Sequence, residues 1–357
     1  RLRSHEDVVF VASSDFQFPK ENNQIFNIEN QKTQELFVFI KDLEKITILK
    51  YNRALFLKSE NVFPLQNLAN KSMIGCSFGE DGNPILYFSP TIIENVSPLV
   101  FISILKCNLE NKTHTISDFK FPANEVAVTV FHMNNSFHIL AKHRIMQGLI
   151  VYTFQDTKVA KKGFDFSSFT FQHKNGKMLR FNNLIKNYPI EKIDVHDYNP
   201  LEKAVKESKL YIQENHIILT FDYSPKRTQA FDINLENQEL TEKNFPQSVL
   251  QDPKKISNSF YQDGQLYQIN TSKSALLLDI KDFNSNRTLK TISVLTANDK
   301  RSKDAPLFIQ IDSRKPSEVR SPKRFLQHLQ TLDIGLSVFR NEENTFVTFG
   351  GVPKIKK

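Results

Sequence analysis

Residues 260–294 read FYQDGQLYQINTSKSALLLDIKDFNSNRTLKTISV, and the reading of this stretch decides the fold. Phe260 precedes the dipeptide Asp263-Gly264, and Leu266, Tyr267 and Ile269 follow it. Asp-Gly favours a type I′ hairpin turn, in which both central residues need positive φ. A third apolar run covers 275–280, Asn284-Ser285-Asn286 breaks it, and Leu289, Ile292 and Val294 follow. The pattern is a four-stranded antiparallel meander. Such a sheet leaves too much apolar face in water to stand alone, so it requires copies of itself or another layer.

Working outward, copies are found. The segment 102–117, ISILKCNLENKTHTIS, aligns with LLLDIKDFNSNRTLKTIS at 276–293 as a second pair of third and fourth strands. On the N-terminal side, strand patterns fall at 8–11, 25–28, 36–40, 46–49 and 54–57, then at 85–88 and 99–105. Further strands are expected at 126–131, 137–140, 149–154, 210–212, 217–221 and 230–233. The alternating run 164–171 reads as one strand returning through Asn175-Gly176 to 177–181. After the opening stretch come 307–311 and a last hairpin, 334–339 with 345–349. An irregular insertion covers about 182–208; two short helices are expected, at 200–208 and at 322–329, each starting with proline.

Turn tips recur at Gly82, Asn135, Gly176, Asn215, Gly264, near Asp304 and at Asn344, with separations of 39 to 53 residues. This spacing resembles the blade length of β-propellers of the kelch-like or WD-like kind. The chain has no Trp and therefore no WD dipeptide, and its one Gly-Gly, Gly350-Gly351, is not repeated per blade. The resemblance thus implies a fold and no functional residues. The expected architecture is an all-β propeller of about seven four-stranded blades, six or eight also fitting, in a single domain over 1–357. Strands from both chain ends, 8–11 or 25–28 with 334–349, would close one blade and remove exposed sheet edges. The alternative is two β-sandwich domains split near 182–199, where periodicity is weakest.

Composition bounds the function classes. In 357 residues, 39% hydrophobic and 24% charged content is that of a globular chain, with 31 Phe and 10 Gly. The formal net charge of +8 is spread through the chain. No run approaches the roughly 18 consecutive apolar residues of a membrane span. The chain starts at Arg1-Leu2-Arg3 without Met, read here as the mark of a removed leader; a secreted, periplasmic or cell-surface protein is the expectation, with a cytoplasmic one as the alternative. Cys76 and Cys107 fall on the first and third strands of one sheet, roughly 9.5 Å apart. A disulfide spans a Cα separation of about 4.4–6.8 Å, so free, buried thiols are expected.

Few residues announce chemistry. Asp194, His196 and Asp197 bring carboxylates and an imidazole together, yet strand alternation would put Asp197 on the opposite face, and a solvated loop is the plainer reading. His132, His138 and His143 cluster around one hairpin and read as structural. No nucleophile elbow, P-loop, dinucleotide glycine set or zinc-protease motif occurs, and neither a catalytic residue nor a cofactor is assigned. The basic run 300–324 supplies Arg314, Lys315, Arg320, Lys323 and Arg324 as candidate polyanion contacts. It lacks the interleaved aromatics of single-strand binders, which disfavours nucleic acid. The resulting expectation is a monomeric, non-enzymatic module that binds a protein or glycan through loops on one face. The competing expectation is a propeller-type hydrolase or lyase acting on carbohydrate or peptide.

Overall fold

The computed structural model describes residues 23–90, 97–98, 100–156, 158–172, 175–252, 256–295, 308–310, 314–319 and 321–354. The chain divides into two compact units, Arg1–Phe166 and Ser167–Lys357. The expected strand 8–11 and the tip near Asp304 lie outside the described residues.

Among the described residues the first unit holds three sheets. Sheet I is β1 (Gln24–Asn30), β2 (Glu35–Lys41), β3 (Lys45–Tyr51) and β4 (Leu57–Pro64) in sequential order. Sheet II is β5 (Ser72–Phe78), β6 (Pro84–Ser89), β8 (Phe101–Asn108) and β9 (Thr113–Lys120); the intervening two-residue β7 (Ser97–Pro98) pairs with sheet III instead. Sheet III continues with β10 (Glu125–Met133), β11 (Ser136–His143), β12 (Gly148–Gln155) and β13 (Lys158–Asp165). Every consecutive pair within these meanders is antiparallel.

The middle sheet shows how these layers are held. On β6, Leu86 and Phe88 join Cys76, Phe78, Leu105 and Cys107 against Phe37, Phe39, Ile46, Ile48 and Phe63 of sheet I. Their neighbours Ile85 and Tyr87 point the other way, with Ile102, into Phe137, Ile139, Tyr152 and Phe154 of sheet III. The Tyr87 and Phe137 rings stack with centroids 4.4 Å apart. All six residues of β6 are buried, since period-2 alternation feeds two cores rather than one core and water. A sandwich buries one face of each of two sheets, so the sandwich alternative does not describe this unit. Cys76 and Cys107 are free and buried, as their strand positions required.

The second unit repeats the arrangement. After the small hairpin β14 (Phe171–Gln172) and β15 (Met178–Leu179) come α1 (Phe181–Asn187), β16 (Ile190–Ile193) and α2 (Leu201–Ala204). Sheet IV follows as β17 (Ser208–Gln213), β18 (His216–Ser224), β19 (Arg227–Asn234) and β20 (Leu240–Pro246), with β16 added in parallel to β17. Sheet V is β21 (Ile256–Gln262), β22 (Gln265–Thr271), β23 (Ala275–Asp282) and β24 (Thr288–Leu295). The chain then forms the short pair β25 (Phe308–Ile309) and β26 (Ser317–Glu318), α3 (Pro322–Leu329), and sheet VI, β27 (Leu332–Arg340) with β28 (Thr345–Pro353). Sheet V, like sheet II, is covered twice. Its Gln268 amide donates to the Phe245 carbonyl of sheet IV at 3.1 Å, and the Asn258 amide on its other face donates to the Ile334 carbonyl of sheet VI at 2.9 Å.

The protein is therefore all-β, and within each unit successive antiparallel meanders, four-stranded in sheets I to V, stack face on face as propeller blades do. Several local expectations are corrected. The stretch 164–171 is not one strand: β13 ends at Asp165, a turn at Ser167-Ser168 intervenes, and β14 begins at Phe171. The strand expected at 54–57 is replaced by a turn up to Phe56, in which the Asn52 side chain accepts from the Ala54 and Phe56 amides, and β4 begins at Leu57. The insertion is more ordered than its sequence implied. Residues 182–208 hold most of α1, β16 and α2, and just before them Phe169 and Phe171 pack on Phe231 and Phe181 on Phe221 of sheet IV. The helix expected over 200–208 is one turn, Leu201–Ala204, because Ser208 already belongs to a buried strand. The helix at Pro322–Leu329 forms as expected, its N-cap Ser321 hydroxyl accepting from the Arg324 amide. Of the strands proposed to complete the last hairpin, 25–28 lies in β1 as a member of sheet I.

Candidate functional site

In each meander the first hairpin turn lies at one end of its sheet, and in the first unit three such turns meet. Asn134 and Asn135, at φ 52° and 59°, make the tip between β10 and β11. Asn tolerates this left-handed backbone better than other side chains do. That conformation lets Asn135 work in two directions. Its carbonyl accepts from the Phe78 amide of sheet II at 3.0 Å. Its side-chain amide donates to Asn30 Oδ1 of sheet I at 2.8 Å, while Asn135 Oδ1 accepts from the Gln31 amide at 2.8 Å. Asn30 Oδ1 also accepts from the amides of Lys32 and Thr33, so one buried oxygen caps the β1–β2 turn.

Beside this knot the turns enclose a cleft of about 260 Å³, whose wall includes Lys32, Glu80, Asp81, Gln155, Asp156 and Lys158. Asp81 accepts from the Asn83 backbone amide at 3.0 Å and its side-chain amide at 2.9 Å. The Asn83 side-chain bond, ahead of burial and the other contributions, holds the Asp81 carboxyl below the ordinary carboxylate range. Asp156 is paired with Lys106 at 2.6 Å. The cleft thus presents carboxylate and amide acceptors next to ammonium donors within one hydrogen-bond reach of a small polar ligand. Among the described residues its lining side chains that carry hydroxyl, ammonium or carboxylate groups are Thr33, Lys32, Lys158, Glu80, Asp81 and Asp156.

The sequence-predicted residues are placed elsewhere. Asp194, His196 and Asp197 are exposed on a turn organised by buried Asn199, whose amide donates to the Asp194 and Asp197 carbonyls. The histidines do not converge. His132 accepts from the Cys76 amide at 3.1 Å, and His143 accepts from the amides of Ile145 and Met146. His138 is buried against Phe131, with ring centroids 4.7 Å apart, and Nδ1 lies 3.0 Å from Thr153 Oγ1. Burial pushes its pKa down to about 4. Among the described residues no group of three or more His, Cys, Asp or Glu is placed to hold a metal. Arg314 and Lys315 are exposed before β26, Lys323 and Arg324 are exposed on the first turn of α3, and Arg320 lies outside the described residues.

Sequence reading missed two further polar constellations. Lys209, Asp222, Asn258 and Ser259 form a solvent-free cluster between sheets IV and V. His216 Nδ1 lies 2.6 Å from Asp232 Oδ1 near the β17–β18 tip, the orientation in which a carboxylate fixes an imidazole and leaves Nε2 outward. The signal available for both was a charge at a position that strand alternation assigns to the interior.

No protein-family model matches the chain, and no curated protein matches it. Among solved structures it is similar to one from a study of two prolyl endopeptidases, at 9% identity and TM-score 0.32, over 77% of this chain and 42% of that one. It is also similar to a putative 6-phosphogluconolactonase from Bacteroides fragilis, at 8% identity and TM-score 0.30, over 78% of this chain and 83% of that one. A third is the Synechocystis apocarotenoid oxygenase, at 10% identity and TM-score 0.35, over 76% and 61%. At these values none of the three assigns an activity or a family to the chain.

Proposed function

We propose that the protein is a non-enzymatic binding module that takes hydroxyl-bearing groups of a glycan into the cleft between the hairpin tips of sheets I to III. The observation that carries this reading is the cleft itself, assembled from turns of three successive sheets with acceptors and donors side by side. Loops of stacked repeats gather on one edge in this way, and recognition surfaces form there. A secreted, periplasmic or cell-surface setting belongs to the same reading. A glycan array followed by calorimetry tests it. Glu80→Gln and Lys158→Ala are expected to weaken the best glycan by about tenfold each, roughly one charge-assisted hydrogen bond. Undiminished affinity in both variants would refute the assignment.

A second reading, a hydrolase or lyase on carbohydrate or peptide, is favoured by the His216–Asp232 pair, which supplies a general base. Product release that disappears in His216→Gln is the result expected of it. For the exposed Arg314, Lys315, Lys323 and Arg324, with Arg320, a polyanion role predicts affinity that falls steeply with salt.

A further inference from the structure

Two lysines reach the cleft of the first unit from turns whose backbones are held in place. Lys32 sits in the β1–β2 turn, where the Asn30 carbonyl accepts from the Gln34 amide at 2.7 Å, Asn30 Oδ1 accepts from the Lys32 and Thr33 amides, and Gln34 takes φ 57°. Lys158 opens β13, paired with Gln155 across a tight turn in which Asp156 takes φ 52°. Sheets I and III thus each deliver one ammonium group to the wall of the same cleft, and both residues are exposed. Ammonium groups gathered in one small cleft repel each other, and an anion lying between them relieves that repulsion.

Three carboxylates share the wall, and two of them are engaged. Asp81 Oδ1 accepts from the Asn83 backbone amide and Oδ2 from the Asn83 side chain. Asp156 Oδ1 lies 2.6 Å from Lys106 Nζ. Such charge-assisted bonds are the strong ones, so these two carboxylates are committed to the protein. The third is Glu80, exposed on the β5–β6 turn beside the amide of Gln155. An ammonium offers three donors and no acceptor. The arrangement therefore suits a ligand that brings its own negative charge to the lysines and hydroxyls to Glu80.

We infer that the glycan taken by this cleft is acidic: an anionic substituent of one sugar ring, a carboxylate or a sulfate ester, lies between Lys32 and Lys158, while Glu80 and Gln155 bind hydroxyls of the same ring. The inference rests on the glycan reading and narrows it to one class of ligand. At about 260 Å³ the cleft is smaller than the roughly 300–1,000 Å³ of sites that bury drug-sized ligands, which limits it to a unit such as a single ring.

Calorimetry of the full chain tests this with trisaccharides built on glucose, galactose and mannose, each in three forms that differ only at C6: primary alcohol, 6-sulfate and carboxylate. In the best-bound set an acidic form is expected to bind at least about tenfold tighter than the neutral one, the worth of one charge-assisted hydrogen bond. Comparison of the sulfate with the carboxylate identifies the substituent. Lys32→Gln and Lys158→Gln are each expected to lose most of the preference, and Lys290→Gln, at an exposed lysine of sheet V, to keep it. Equal binding of the three forms would overturn the acidic assignment and leave the glycan reading standing. An equal loss in Lys290→Gln would mark attraction by net charge alone and overturn the assignment too. Binding of no member of any set would overturn the glycan reading, and this inference with it.

Discussion

Lys209 Nζ lies 3.8 Å from Asp222 Oδ2, with both side chains wholly withdrawn from solvent between sheets IV and V. The ammonium donates to Asn258 Oδ1 at 2.5 Å and to the Ser259 carbonyl at 2.9 Å. Asp222 Oδ2 accepts from the Ser259 amide and hydroxyl, and its Oδ1 from the Thr228 hydroxyl. Each charge is therefore hydrogen-bonded by the strand facing it. Removing one partner leaves the other buried without its counter-charge, which costs about 3–5 kcal/mol. Lys209→Met is expected to lose roughly that amount in denaturant unfolding. Burial lowers the Lys209 pKa to about 8, below its value in the unfolded chain. The unfolded state then binds more protons between about pH 8 and 10.5, so wild-type stability relative to Lys209→Met rises across that window. A constant difference would contradict the buried-charge account.

His138 supplies the acidic counterpart. Its pKa of about 4 is depressed by burial against Phe131 and Thr153. An unfolded histidine titrates near 6.5, so the folded protein loses stability as pH falls from about 6.5 to 4. His138→Gln is expected to flatten that part of the curve, and the wild-type imidazole to remain neutral at pH 5 by NMR.

Asn135 tests the knot that shapes the cleft. Asn135→Ala deletes the links to Asn30 and Gln31 and puts a less tolerant residue at φ 59°. Asn135→Gly deletes the links and keeps the backbone at ease. Both are expected to destabilise, alanine by about 1 kcal/mol more than glycine. Equal stability of the two variants would count against the left-handed tip.

Gly335 on β27 permits close approach of α2. A Cβ there would stand 2.5 Å from the Ala204 carbonyl carbon and 2.6 Å from the Val205 nitrogen, both rigid backbone. Gly335→Ala is expected to cost about 1–3 kcal/mol by overpacking. Melting temperature reads this directly.

Much of the architecture was legible because it depends on local signals. Asp263-Gly264 takes φ values of 45° and 75°, the type I′ turn its sequence called for, and the strands flanking it pair in the expected register. Other features depend on partners far away in sequence. Helix α1 was missed because its buried set, Phe181, Leu184 and Ile185, is short and gains its stability from Phe171 and Phe221. Lys209 and Asp222 break alternation and make sense only once sheets IV and V face each other. The cleft joins Asn30 to Asn135, 105 residues apart, through side-chain bonds that no single turn encodes.

The most direct measurement compares two adjacent truncations on β6, Ile85→Ala and Leu86→Ala. Ile85 enters the core with sheet III and Leu86 the core with sheet I, and both are fully buried. Stacked blades predict that each costs about 2–5 kcal/mol in denaturant unfolding. If either residue can be cut to alanine for less than about 0.5 kcal/mol, one face of sheet II meets water and the stacking is wrong.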